Sequence, residues 1–134
     1  MARFSNEERK KHEVYRELKD LINDLNYSVD AVVVEGSHDK KTLKLLGFKK
    51  PILQCSKLPH TTITDLVAEK FSDVVILTDF DEEGKLLNKK LTSLLETKGV
   101  KVDLFYRRRF RKLLKEVKIS TIESIYSIKI NLFP

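Results

Sequence analysis

Val74-Val75-Ile76-Leu77-Thr78-Asp79-Phe80-Asp81-Glu82-Glu83-Gly84 is the stretch on which the fold turns. Its apolar opening is mostly β-branched and has no polar break, the pattern of a strand covered on both faces. The run stops at Asp79, Asp81 and Gly84, just ahead of a new helical pattern. A second stretch is built the same way: Ala31-Val32-Val33-Val34 ends at Glu35-Gly36-Ser37-His38-Asp39. Buried strands that end on a carboxylate and a glycine predict the carboxyl edge of a parallel α/β sheet, where such folds place their sites.

Outward from these two strands, strand and helix patterns alternate. Ser5-Asn6-Glu7-Glu8 predicts a capping box, followed by Val14, Leu18, Leu21, Ile22 and Leu25 on one face of a helix over about 6–25. Asp39 to Leu46 reads as a helix stopped by Gly47, and Pro51 to Gln54 as a short strand. Thr61 or Thr62 is the expected cap of a helix that turns Ile63, Leu66 and Val67 inward and ends near Phe71. Glu83 to Lys98 predicts another helix, with Leu86, Leu87, Leu91, Leu94 and Leu95 inward. Val100 to Phe105 follows as the last strand. A basic helix over Arg108 to Val117 and a second capping box at Ser120-Thr121-Ile122-Glu123, ahead of Ile125, Ile128 and Ile130, form a helical extension over about 107–130. Right-handed βαβ crossovers then imply one α/β domain over 1–134, with a core of about 31–106 and about four parallel strands flanked by helices.

Composition narrows the class. The chain has 134 residues, 41% hydrophobic and 34% charged, enough for one soluble domain with a real core. No apolar run approaches the ~20 residues of a membrane span, and the polar start does not read as a signal peptide. The single Cys55 forbids an internal disulfide and fits a reducing cytoplasm, where it reads as a small buried thiol. From Lys101 onward nine basic residues face only Asp103, Glu116 and Glu123, so nine minus three accounts for the whole net charge of +6. An acidic cluster beside a basic C-terminal surface is the layout expected for metal-assisted chemistry on a polyanion. A solvated basic face without a partner is the other reading.

The acids carry the chemical expectation. Asp79 and Asp81, two apart beyond a strand, can turn toward one ion, and Glu35 faces the same cleft if its strand is adjacent. Carboxylate oxygens select a hard divalent cation, most naturally magnesium (Mg2+). Glu35 can bind that metal or exchange a proton with a reacting oxygen. Gly36 and Gly84 permit tight turns, Asp39 caps the following helix and supports the site, and His38 lies within the first acidic loop. Tyr106-Arg107-Arg108-Arg109-Phe110-Arg111-Lys112 starts at the same sheet edge, where Arg107, Arg108, Arg109, Arg111 and Lys112 can seat phosphates. Taken singly, each motif reads equally well as an N-cap or as solvated surface charge.

In this order, Glu35-Gly36-Ser37-His38-Asp39 and Asp79-Phe80-Asp81 resemble the Toprim family. That domain is shared by type IA and II topoisomerases, bacterial primases, OLD-family nucleases and ribonuclease M5. The resemblance covers about 31–106. It implies a Rossmann-like Toprim fold, a catalytic glutamate at Glu35, and aspartates at Asp79 and Asp81 that coordinate magnesium. No room exists for a topoisomerase tyrosine domain, and one cysteine does not make a primase zinc module. What remains is similar to the N-terminal part of ribonuclease M5. The expected activity is a magnesium-dependent RNA-processing nuclease in the cytoplasm, with RNA favoured over DNA and a ribonucleoprotein or processing complex as partner. The alternative is a non-catalytic RNA-binding or ribonucleoprotein component with a structural magnesium.

Overall fold

The computed structural model describes residues 5–125. Ser5 Oγ accepts from the Glu8 amide at 3.1 Å and Glu8 accepts from the Ser5 amide at 3.3 Å, a reciprocal cap that opens α1 (Asn6–Ser28). Its Val14, Leu18, Ile22 and Leu25 form the buried stripe that the spacing demands. Then follow β1 (Ala31–Val34), α2 (Ser37–Leu45), β2 (Ile52–Gln54), α3 (His60–Lys70), β3 (Asp73–Ile76), α4 (Glu82–Thr97), β4 (Lys101–Val102) and α5 (Phe105–Glu116).

The four strands form one parallel sheet in the order β2-β1-β3-β4. Because side chains alternate along a strand, β1 and β3 bury both faces. Val32, Val34, Val75 and Leu77 pack with α1, α5 and Leu43 of α2. Ala31, Val33, Val74 and Ile76 pack with Ile63 and Val67 of α3 and Leu91 and Leu95 of α4. The result is a sheet between two helical layers, with α1 and α5 side by side and joined by a 2.6 Å hydrogen bond between Ser28 Oγ and Tyr106 Oη.

Strand order locates the crevice. The chain leaves β1 toward β2 on one side, then returns to place β3 on the other. The point where the order reverses lies between β1 and β3, and their carboxyl ends open onto the crevice that α/β sheets use for binding. Val32 lies opposite Val75, and the Leu77 amide still reaches the Val33 carbonyl at 2.8 Å. Glu35 and Asp79 therefore leave adjacent strands at nearly the same height.

Several boundaries differ from the sequence expectation, each for a local reason. The last strand is only Lys101–Val102, because Asp103 turns out to accept from the Phe105 and Tyr106 amides at 2.8 and 3.3 Å and starts α5 early. The basic helix ends at Glu116, soon followed by Lys118 at φ 57, a left-handed residue that breaks the helical path. The end at Glu116 is one residue short of the expected Val117, and the part of the 107–130 extension beyond residue 125 lies outside the described residues. Neither Thr61 nor Thr62 caps α3; Pro59 precedes it without a side-chain cap. Leu86 is 68% exposed and Leu66 36% exposed, so both leave the inward faces assigned to them. In the second capping box Thr121, rather than Ser120, accepts from the Ser124 amide. Ile122 and Ile125 are buried, while Ile128 and Ile130 lie outside the described residues.

Candidate active site at the carboxyl edge of the sheet

Glu35 follows β1 directly, and its Oε1 accepts from the Asp79 backbone amide at 3.0 Å. The two acidic motifs are thus joined by one hydrogen bond across the crevice. Asp79 is half-buried, and its Oδ1 accepts from the Ile122 amide at 2.9 Å. Asp81 is the N-cap of α4, with Oδ1 accepting from the Gly84 amide at 2.8 Å. Asp39 sits in the first turn of α2 and its Oδ2 accepts from the Gly36 amide at 3.1 Å. Each of these carboxylates is held by a backbone N–H. Among the described residues, none is locked in a salt bridge.

The turn around Asp79 is tightly packed, and Gly84 is the reason it can be. A Cβ on Gly84 would stand 2.0 Å from the Asp79 carbonyl oxygen, so only glycine lets α4 start this close. Thr78 Oγ1 closes the turn by donating to the Gly84 carbonyl at 2.7 Å. Gly36 is not comparably constrained, since the nearest atom to a Cβ there is Ser56 Oγ at 3.9 Å.

Arg107, expected among the phosphate-seating cations, holds the turn from beneath. Its Nη1 donates to the carbonyls of Ile76 and Thr78 at 3.2 and 2.8 Å, and its Nη2 to that of Asp79 at 3.2 Å. The guanidinium carbon lies 4.6 Å from the Phe80 ring centroid, and the residue is only 8% exposed. Burial and the neighbouring Arg111 lower its pKa to about 10, which leaves it a cation at neutral pH. Arg107 was missed as a buried group, yet its signal was present: it shares one helical stripe with Phe110 and Leu114, both fully buried.

Electrostatics mark the cluster as anionic and strained. Burial pushes the Asp79 carboxyl up to about 6, the Ile122 amide opposes that, and the charges of Glu35, Asp39 and Asp81 push it further. Asp39 is raised as well, first by burial, with the Gly36 amide pulling the other way. Behind Glu35, burial raises the Cys55 thiol to about 11, so it stays protonated as a small core residue.

These donors fit a hard divalent cation chemically: all are carboxylate oxygens, and the Asp79 anion is destabilised first by burial and then by its neighbours' charge. As the described side chains stand, no three His, Cys, Asp or Glu residues already enclose an ion. Asp81 in particular is turned into its own helix. Rotation of the carboxylates is needed before Glu35, Asp79 and Asp81 share one cation.

The remaining residues divide. His38 is largely exposed and sits 3.8 Å from Glu123. Arg108, Arg109, Arg111 and Lys112 are exposed on α5, as expected for phosphate contacts. The sequence reading did not anticipate that the segment after α5 returns to the site. There Ser120 accepts from the Phe80 amide at 2.7 Å and Ile122 donates to Asp79.

Comparison with known proteins gives a consistent outcome. A model of the Toprim domain matches residues 30–118. The UPF0292 protein of Thermococcus gammatolerans is 37% identical over 116 residues, covering 87% of this chain and 86% of that protein. UPF0292 protein PH1700 of Pyrococcus horikoshii is 36% identical over 116 residues with the same coverage of each. A solved protein of Aquifex aeolicus superposes with a TM-score of 0.63 at 31% identity, over 85% of this chain and 96% of that one.

Proposed function

The chain belongs to the Toprim domain family, and on that premise we propose that it cleaves phosphodiester bonds in RNA with magnesium, as an RNA-processing nuclease resembling ribonuclease M5. Family membership places it in metal-dependent nucleic-acid chemistry generally, and Toprim domains typically bind divalent ions such as magnesium. The observation that carries the finer reading is the hydrogen bond of 3.0 Å between Glu35 and the Asp79 amide, which brings the two motifs into one cleft.

Glu35 is the group that exchanges a proton with the attacking water or the leaving oxygen. The Asp79 amide fixes one of its oxygens, and the other takes no hydrogen bond from the described residues. Magnesium held by Asp79, Asp81 and Glu35 would orient the phosphate and offset charge in the transition state. Gly36, Asp39 and Gly84 shape the two loops, and exposed cations of α5 seat the strand. The protein works in the cytoplasm on a structured RNA or within a ribonucleoprotein. No helix among the described residues is long and apolar enough to cross a membrane.

The exposed cations of α5 would serve equally in the rival reading, an RNA-binding or ribonucleoprotein component with a structural magnesium. A single experiment separates the two. Magnesium-dependent cleavage of an end-labelled structured RNA is expected, and it should vanish in Glu35→Gln and in Asp79→Asn while circular dichroism stays native. RNA binding without turnover by the wild type refutes the nuclease and leaves the binding component.

A further inference from the structure

Beside the acidic turn lies a cleft of about 310 Å³ that the acids do not line. Phe80 forms its floor, and Lys85, Arg111, Lys115, Lys118 and Ser120 stand around it. These side chains come from three places in the chain: the first turn of α4, one side of α5, and the segment that follows α5. Four cations thus meet around one opening. The only carboxylate paired with any of them among the described residues is Glu82, 3.7 Å from Lys85 and itself almost fully exposed.

Helix geometry explains why the basic run of α5 is not one surface. At about 100° per residue, Arg111 and Lys115 project ~40° and ~80° round from Arg107, whereas Lys112 and Arg109 project ~140° and ~200°. Arg107 points into the acidic turn. Arg111 and Lys115 therefore flank the site, and Arg109 and Lys112 face elsewhere. Lys118 adds an independent sign. It occupies a left-handed position at φ 57, where glycine or asparagine is the unstrained choice. A lysine there brings charge to the cleft at a conformational cost.

Position completes the argument. Phe80 lies between Asp79 and Asp81, so the cleft begins where the acidic turn ends. Its far wall is fastened to that turn by the Phe80 to Ser120 and Ile122 to Asp79 hydrogen bonds. We propose that this Phe80-floored basic cleft seats a phosphate of the nucleic-acid strand next to the one presented to the acids, so the strand crosses Phe80 from the acidic edge into the cleft. This rests on the nucleic-acid reading above and assigns a direction to the substrate. The ring of Phe80, backed by Arg107 and mostly buried, is a floor and not a platform for a base.

The test is the salt dependence of binding, measured by fluorescence anisotropy with a short single-stranded RNA and its DNA counterpart, in EDTA so that no cleavage intervenes. Each phosphate contact to a single strand contributes ~0.7 to the slope of log affinity against log salt. Arg111→Ala with Lys115→Ala should lower the slope by ~0.7 and weaken binding roughly 5-fold at 0.1 M salt. Lys89→Ala with Lys90→Ala removes the same charge from exposed positions of α4 outside the cleft and should cost far less. A wild-type slope in the first pair, or an equal loss in the second, overturns the cleft. A wild type that binds but does not cleave removes only the nuclease reading. If the wild type binds neither strand at low salt, both proposals fall.

Discussion

Asp79→Asn should make the protein more stable and inactive together. Folding raises the Asp79 carboxyl from 3.8 to about 6, so the native state holds that proton more tightly than the unfolded chain does. Ionisation therefore favours unfolding. The stabilising contribution of the protonated group is whole below pH ~4 and is lost as pH climbs past ~6. A shift of roughly two units corresponds to at most ~3 kcal/mol, and solvent screening of a half-buried group reduces it to ~1–2 kcal/mol. Asparagine keeps the oxygen that accepts from the Ile122 amide, and the Glu35 contact uses the Asp79 backbone, so neither hydrogen bond is broken. In EDTA at pH 7.5 the variant should melt ~3–8 °C above the wild type, a gap that narrows from pH 6 downward and closes near pH 4. Magnesium at ten times its Kd adds ~1.4 kcal/mol to the wild type alone and should cancel the gap. The readout is thermal unfolding by circular dichroism across pH, with and without magnesium. A variant less stable than wild type at pH 7.5 in EDTA, or a gap that persists unchanged to pH 4, refutes the claim that the acidic cluster strains the fold.

Two further perturbations probe the turn itself. Gly84→Ala improves helix propensity by ~1 kcal/mol, yet the added carbon would lie 2.0 Å from the Asp79 carbonyl oxygen. Packing should win: urea denaturation should show a net loss of about 1–3 kcal/mol together with loss of cleavage, and a stabilised variant would disprove the close approach. Arg107→Ala strips donors from three backbone carbonyls and should cost on the order of 3 kcal/mol. Arg107→Lys keeps the charge but loses the planar fork, so less than half of that stability should return. Full rescue by lysine would mean that charge alone, and not the forked hydrogen bonds, matters there.

The sequence was most legible where two periodicities met. Strands covered on both faces leave uninterrupted apolar runs, and Val32 to Val34 and Val74 to Ile76 end at the acids that mark the sheet edge. The alternating pattern left the adjacency of those strands open, and the order β2-β1-β3-β4 supplies it. Helical phase was less legible. A leucine-rich run does not say which leucine faces out, and Leu86 does. An arginine run likewise hides its buried member, because the charge of Arg107 argues for solvent while its place beside Phe110 and Leu114 argues for the core. Long-range backbone contacts leave no local pattern at all. The Ile122 amide that holds Asp79 lies 43 residues away in sequence and beyond residue 118, where the family match ends.

Arg107 also bears on why the cluster still calls for an external cation. A buried guanidinium this close to Asp79 and Glu35 could have served as the internal counter-ion, making a metal unnecessary. Its hydrogen bonds, however, go to the carbonyls of Ile76, Thr78 and Asp79 and not to any carboxylate oxygen. A cation neutralises a carboxylate well when it binds it directly, since a charge-assisted hydrogen bond adds to the attraction. Here the charge is spent on backbone dipoles, and Asp79 remains raised to about 6. The fold therefore uses arginine to shape the turn while leaving the carboxylates short of positive charge on their open side. That division of labour is what a site needs if its cation must come and go with a phosphate, and it predicts that Arg107→Lys will disturb stability far more than it disturbs magnesium affinity.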